Sequence, residues 1–266
     1  MKEDKKEIEI QEVVQTPVVD QEPELPKIFQ QLIDVGAHLG RKKSIGHPKM
    51  KPYIFTVRQD VQIINLEKIV EKMEEAAEFL KNVASKGGVI LFVSVSMPGK
   101  HLTKKIAEEL KMPYVFERWI GGTLTNFSII SKRINYLLKQ EERKQKGELE
   151  KYTKKEQLDM ENEMKDLNKK IGGIKFLKKH PDAIFIVDAG EHSITIAEAK
   201  KVGVPVVSIS NTNTDPNIVK HAIPANDKSI STIQFILDYI KDAIAEGLVK
   251  SARIAKNKEE VKIINL

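Results

Sequence analysis

Two kinds of hydrophobic spacing alternate along this chain. Val89-Ile90-Leu91-Phe92-Val93 and Ala183-Ile184-Phe185-Ile186-Val187 are continuous apolar runs closed by polar residues. Such runs read as strands buried on both faces, as in a parallel sheet. Tyr114-Val115-Phe116 and Val204 to Ile209 predict two more strands. Between the strands, apolar residues recur at helical spacing. Leu66, Ile69, Val70, Met73, Ala76, Ala77 and Leu80 mark one helix, ended by Gly87-Gly88. Leu102, Ile106, Ala107 and Leu110 mark a second, Ile194 to Val202 a third and Ile230 to Ala245 a closing one. Strands alternating with helices predict an α/β fold with a doubly wound, mainly parallel sheet. Ahead of it, Ile28 to Ile33 is a short amphipathic piece. Tyr53–Val57 and Val61–Ile64, around Arg58-Gln59-Asp60, predict a hairpin or two extended pieces.

From Gly122 to Leu177 the strand signal stops. Phe127, Ile130, Ile134 and Leu137 form one heptad-like seam, and Met160, Met164, Leu167, Ile171 and Ile174 another. The charged stretch Lys139 to Gln157 lies between them, with Gly147 as its turn. The pattern predicts an antiparallel coiled-coil hairpin inserted over 123–177. The alternative is two ordinary amphipathic helices lying on the sheet. Outer faces charged nearly all round suit a projecting arm better. The globular part is then 27–122 and 178–248, preceded by a disordered acidic arm over 1–26 and followed by a tail over 249–266.

Charge is modest in total, with 44 Lys/Arg against 38 Asp/Glu and a net +6. Its distribution says more. Residues 1–25 hold eight acids and three lysines, so the remaining body is net +11. An acidic tail on a basic body favours a nucleic-acid partner. The densest basic stretch runs from Arg41 to Arg58, with six cations and no acid. Pro48 and Pro52 disfavour a helix there, which reads as an irregular loop beside Tyr53 and Phe55. Fixed cations next to aromatics suit a polyanion with stackable bases, although a solvated loop has the same composition.

Catalytic signatures are weak. Cysteine is absent, which removes disulfides, Cys-ligated zinc and Cys nucleophiles. No apolar run approaches the ~20 residues that span a bilayer, and no signal-peptide pattern opens the chain. The expectation is a cytoplasmic protein with no membrane partner. Neither a Gly-x-Gly-x-x-Gly fingerprint nor a Gly-x-Ser-x-Gly elbow occurs. Pro98-Gly99-Lys100 follows a strand like the tail of a P-loop, but Ser94 stands where the upstream glycine would be and His101 follows the lysine. His38, His47, His101, His180, His192 and His221 make no paired metal motif. No catalytic residue, cofactor, metal or small-molecule substrate is expected.

Ordered motifs then point to a family. They are Pro48-Lys49-Met50-Lys51-Pro52-Tyr53-Ile54, Ile63-Ile64-Asn65-Leu66-Glu67-Lys68, and the longer Met112 to Phe127 stretch with Glu117-Arg118-Trp119-Ile120-Gly121-Gly122-Thr123-Leu124-Thr125-Asn126. Pro181 to Asp188, Ala197-Glu198-Ala199, Val204-Pro205-Val206-Val207 and Asn211 to Pro216 complete the order. From about Ile28 to Gly247 the chain resembles the bacterial form of ribosomal protein two of the small subunit. The resemblance implies a three-layer αβα sandwich with a protruding coiled coil, at the junction of head and body. It implies a structural protein and not an enzyme, bound to 16S-type small-subunit rRNA. It also implies contacts with other small-subunit proteins, including docking of the large messenger-binding protein one.

The expected RNA contacts are Arg41, Lys42, Lys43, Lys49, Lys51, Arg58, Lys100, Lys104, Arg118 and Thr123. Arg118-Trp119 joins a guanidinium to the only tryptophan, and Gly121-Gly122 lets backbone approach closely. For Trp119 itself, packing at the hairpin base is the simpler expectation. The chain departs from the family pattern in several loops. Arg41 replaces a second His, Gly46-His47 replaces Trp-Asn, and Ala189-Gly190-Glu191 replaces Pro-Arg-Lys. Ser94 to Gly99 lacks the usual cations, leaving Arg41, Lys42, Lys43 and Lys100 to take their place. A nucleotide-binding enzyme using Ser96–Lys100 and a purely protein-binding scaffold are the rival readings.

Overall fold

The computed structural model describes residues 26–264, so the expected acidic arm lies almost entirely outside the described residues. The chain opens with helix α1 (Lys27–Asp34) and strand β1 (Leu39–Lys42), then strands β2 (Ile54–Arg58) and β3 (Val61–Ile64). These strands form an antiparallel sheet in the order β1-β3-β2. Gln59 and Asp60, between β2 and β3, both take left-handed φ (48° and 61°), as a tight two-residue hairpin turn demands. The basic stretch is therefore not an irregular loop. Its start is β1, and Lys43–Ile45 and Pro48–Tyr53 form 3-10 turns. Pro48 opens the second turn, where a missing N–H costs nothing. Leu32, Ala37, Ile64 and Ile69 bury a small core that fixes α1 against this sheet.

Helix α2 (Leu66–Ser85) starts at Asn65, whose side chain accepts the Glu67 N–H at 2.9 Å. Strand β4 (Ile90–Val93), helix α3 (Met97–Glu109) and strand β5 (Tyr114–Val115) follow. Next come helices α4 (Phe127–Gln145) and α5 (Lys154–Ile171), the latter opened by a Thr153/Glu156 capping box. Strand β6 (Ala183–Val187), helix α6 (Ser193–Val202), strands β7 (Val206–Ser210) and β8 (His221–Pro224), and helix α7 (Ile230–Ile264) complete the chain. β5, β4, β6, β7 and β8 lie in that order in one parallel sheet.

Alternation along each strand divides the core. Ile90, Phe92, Phe185, Val187 and Ile223 face α2, α3 and α7. Leu91, Val93, Ile184 and Ile186 face α6 and the inner residues of α4 and α5. The result is three layers, with the sheet in the middle. Phe92 and Phe185 are fully buried with ring centroids 5.7 Å apart, and each contributes up to about 3 kcal/mol of burial. The α4–α5 seam residues Ile130, Ile134, Leu137, Met164 and Ile171 continue the second core outward from the sheet. Glu163 accepts from the Tyr136 hydroxyl at 3.3 Å, and Lys144 pairs with Glu161 at 2.6 Å, so the two helices run alongside each other.

Candidate nucleic-acid interface

The strand order places the chain reversal between β4 and β6, the crevice where doubly wound sheets hold ligands at their carboxyl ends. Here that crevice is closed. A Cβ on Gly99 would lie 2.5 Å from Ser94 Oγ and 2.8 Å from Val187 Cγ1, so α3 rests directly on the ends of β4 and β6. His192 crosses from the other side. Its Nε2 accepts the Val95 N–H at 3.1 Å, which leaves Nδ1 to donate to the Asp188 carbonyl at 2.8 Å. Burial pushes the His192 imidazole below its ordinary pKa and keeps this neutral tautomer. Lys100 pairs with Glu117 at 2.7 Å instead of facing the crevice. The protein's own groups thus occupy the crevice at Gly99 and His192.

The sequence-predicted cations divide into two groups along the carboxyl rim. One belongs to the β1–β3 lobe, beside β7 and β8. Arg41 Nη2 donates to Asp227 Oδ1 at 3.0 Å, and its backbone N–H donates to Thr212 Oγ1 at 2.9 Å. Asp227 also accepts from Asn211 Nδ2 at 2.8 Å. Burial pushes the Asp227 carboxyl up and the nearby Asp188 charge adds to it, while Asn211 and Arg41 oppose them. Arg41, expected as an RNA contact, is thus committed to an internal carboxylate. Lys49 Nζ meets Asp215 at 2.6 Å. Lys42, Lys43, Lys51 and Arg58 are exposed and have no carboxylate partner among the described residues. Lys42 and Arg58 both pair in register with Val61, one from each side of β3, and Phe55 on β2 is 74% exposed.

The second group lies by β5. Lys100 and Lys104 both sit over the Phe116 ring, at 5.6 and 5.0 Å. Arg118 is exposed, and Trp119 is half-buried. The loop after it is organised by one buried carboxylate. Glu198 Oε1 accepts from Trp119 Nε1 at 3.1 Å and the Gly122 N–H at 2.8 Å. Its Oε2 accepts the Leu124 and Thr125 N–H groups at 3.0 and 3.3 Å. Burial raises the Glu198 carboxyl, but these hydrogen bonds outweigh it and hold the group below its usual value. Thr123, the remaining expected contact, is buried and its hydroxyl donates inward to the Ile120 carbonyl.

Exposed cations along the rim, over strand ends that Gly99 and His192 pack against, suit a binding surface. The protein-family model described as ribosomal protein S2 matches residues 32–247. The chain belongs to the ribosomal protein S2 family. It is accordingly a structural protein of the small ribosomal subunit and not an enzyme. Among the described residues of this S2-family chain, no helix is long and apolar enough to cross a membrane, and no group of three acidic or His side chains could hold a metal. Two organising residues of this S2 chain escaped the sequence reading. Asp227 carried no local signal. Glu198 carried little: Ile194, one turn before it on α6, is itself 65% exposed, so that spacing marks no buried face.

Proposed function

We propose that this chain holds 16S-type rRNA through the exposed cations of its carboxyl rim. The observation that carries this reading is the set Lys42, Lys43, Lys51 and Arg58. They are unpaired among the described residues; Lys42 and Arg58 stand on the small antiparallel sheet with exposed Phe55, and Lys43 and Lys51 on the 3-10 turns beside it. Such cations neutralise phosphates and release counterions, and an exposed ring offers a stacking surface. Lys49, Lys100 and Lys104 contribute by exchanging a protein partner for a phosphate, and Arg118 extends the rim at its other end. Arg41 and Thr123 act as supports that hold their loops. The α4–α5 pair serves as an antiparallel coiled-coil arm, a second contact surface for RNA or neighbouring small-subunit proteins. Docking of the large messenger-binding protein one belongs to the same role, in cytoplasmic ribosomes.

Charge reversal at Lys42, Lys43, Lys51 and Arg58 tests the reading. Full-length protein is titrated with a small-subunit rRNA transcript across a salt series. Binding of the unaltered chain should fall steeply with salt. The variant should lose affinity, and its log–log salt slope should drop by about one for each phosphate contact removed. Equal binding by both proteins, with the variant still entering small subunits, would favour a protein-only scaffold. Arg41 is left intact because reversing it would strand Asp227.

A further inference from the structure

We propose a phosphodiester pocket at the base of the α4–α5 pair, made by Arg118, Arg133 and Lys170 around Trp119 and Gly121. It rests on the rRNA reading above and assigns one specific contact to it. These residues, with Ile120, line a concavity of about 250 Å³. The cations come from three elements: Arg118 from the loop after β5, Arg133 from α4 and Lys170 from the last turn of α5. No lining residue is acidic, and none of the three cations has a carboxylate partner among the described residues. At the far end of the pair, Lys144 meets Glu161 and Arg143 meets Glu148, whereas Lys132, Lys165 and Lys169 nearer the pocket are, like the three, without a carboxylate partner among the described residues. The negative end of α5 accounts for Lys170 alone. The two guanidinium groups on the same concavity have no helix end of this kind to explain them.

Gly121 supplies an independent observation. Its φ is not left-handed, unlike that of Gly122 at +88°, and a Cβ added to it would meet nothing within 4 Å. Neither the turn nor the packing asks for glycine there. A bare Cα facing open space between three cations lets an external group reach the backbone. Trp119 provides the wall. Its Nε1 is anchored on Glu198 at 3.1 Å, so the ring is fixed beside the concavity. Cations brought to one concavity from three elements suit a tetrahedral phosphodiester, whereas one Arg fork already satisfies a planar carboxylate. The adjoining ring then takes the ribose or an unstacked base.

Trp119 is the only tryptophan, so its emission reports on the pocket directly. Full-length protein is titrated with the small-subunit rRNA transcript, alongside the double variant Arg133→Gln/Lys170→Gln and the single variant Gly121→Ala. The unaltered chain should show an emission change that saturates with binding. The double variant should keep its melting temperature, bind at least about tenfold more weakly and lose about one from its salt slope. Gly121→Ala should keep its stability and lose affinity too. If the unaltered chain binds while Trp119 stays silent and the variants match it, the pocket is refuted and the rRNA reading stands. If the unaltered chain shows no salt-sensitive binding, both fall together. Displacement of the RNA by polyglutamate with the same emission change would identify an acidic-peptide site and overturn the proposal.

Discussion

Glu198 makes the sharpest prediction about how the rim is held. Its two carboxylate oxygens take N–H donors from Trp119, Gly122, Leu124 and Thr125, at 2.8 to 3.3 Å. Glu198→Ala removes every acceptor at once. Leu124 is 1% exposed, so water cannot replace its bond, and a stranded buried donor costs about 1–3 kcal/mol. The other donors are half-exposed and lose about 0.5–1 kcal/mol each as they turn to water. Together the loss is about 2.5–6 kcal/mol, or roughly 5–24 °C in melting temperature for a domain of this size. Glu198→Gln discriminates further. One oxygen of Gln can serve one pair of donors, but its NH2 then faces the other pair, so Gln should recover less than half of the loss. Thermal melts followed by far-UV circular dichroism give the stability, and Trp119 emission reports the loop itself. Melting temperatures within about 1 °C of the unaltered chain for both variants, with unchanged emission, would refute the proposed role of the carboxylate.

Two further outcomes follow from the closed crevice. Gly99→Ala should destabilise by about 1–3 kcal/mol, because its Cβ would press on Ser94 Oγ and Val187; an unchanged melt would mean that α3 can lift. His192 ties stability to pH. Its folded pKa is depressed, so below the unfolded value near 6.5 the unfolded chain binds a proton that the native chain refuses. Stability should therefore fall as pH drops from about 6.5 toward the depressed value. His192→Gln should flatten that fall between pH 7.5 and 5.5 and leave the share of His221, which burial depresses in the same way. An identical pH slope in the variant would show that the imidazole is not the titrating group.

The elements readable in the sequence were those whose burial is written locally. The apolar runs became β4 and β6 within a residue, and the helical spacings became α2, α3 and α6. Strands β1 and β8 were missed because Leu39-Gly40-Arg41-Lys42 and His221-Ala222-Ile223-Pro224 carry no alternation. They exist through pairing with β3 and β7, which local pattern cannot see. Helix α7 outran its expected end at Ala245, because Gly247 does not stop it. A Cβ there would lie 2.5 Å from the Lys81 carbonyl oxygen, so the glycine serves close packing against α2. The chemistry of the rim was legible as charge, but not as partnership. Arg41 and Asp227 are 186 positions apart, and nothing near Arg41 marks it as already engaged. A separation of 73 to 79 positions likewise hid the four-donor role of Glu198.

The doubly wound sheet ordinarily leaves its carboxyl end open for a ligand, and this chain has closed it with its own side chains. His192 joins the β4 and β6 loops, Lys228 meets Asp188 at 2.8 Å, and Arg41 meets Asp227 at 3.0 Å. Each bond links segments far apart in sequence, so the loops become one stiff surface rather than separate lids. That stiffness matters for the proposed role. A mobile loop that grips RNA loses about 0.5–1.5 kcal/mol for each long side chain it must order, and backbone ordering adds to that cost. A rim already fixed by internal bonds avoids the backbone part. Unpaired cations on such a rim can then meet phosphates with little rearrangement, while the paired ones keep the rim in shape. Weakening Glu198 or His192 should consequently lower RNA affinity even though neither side chain faces outward.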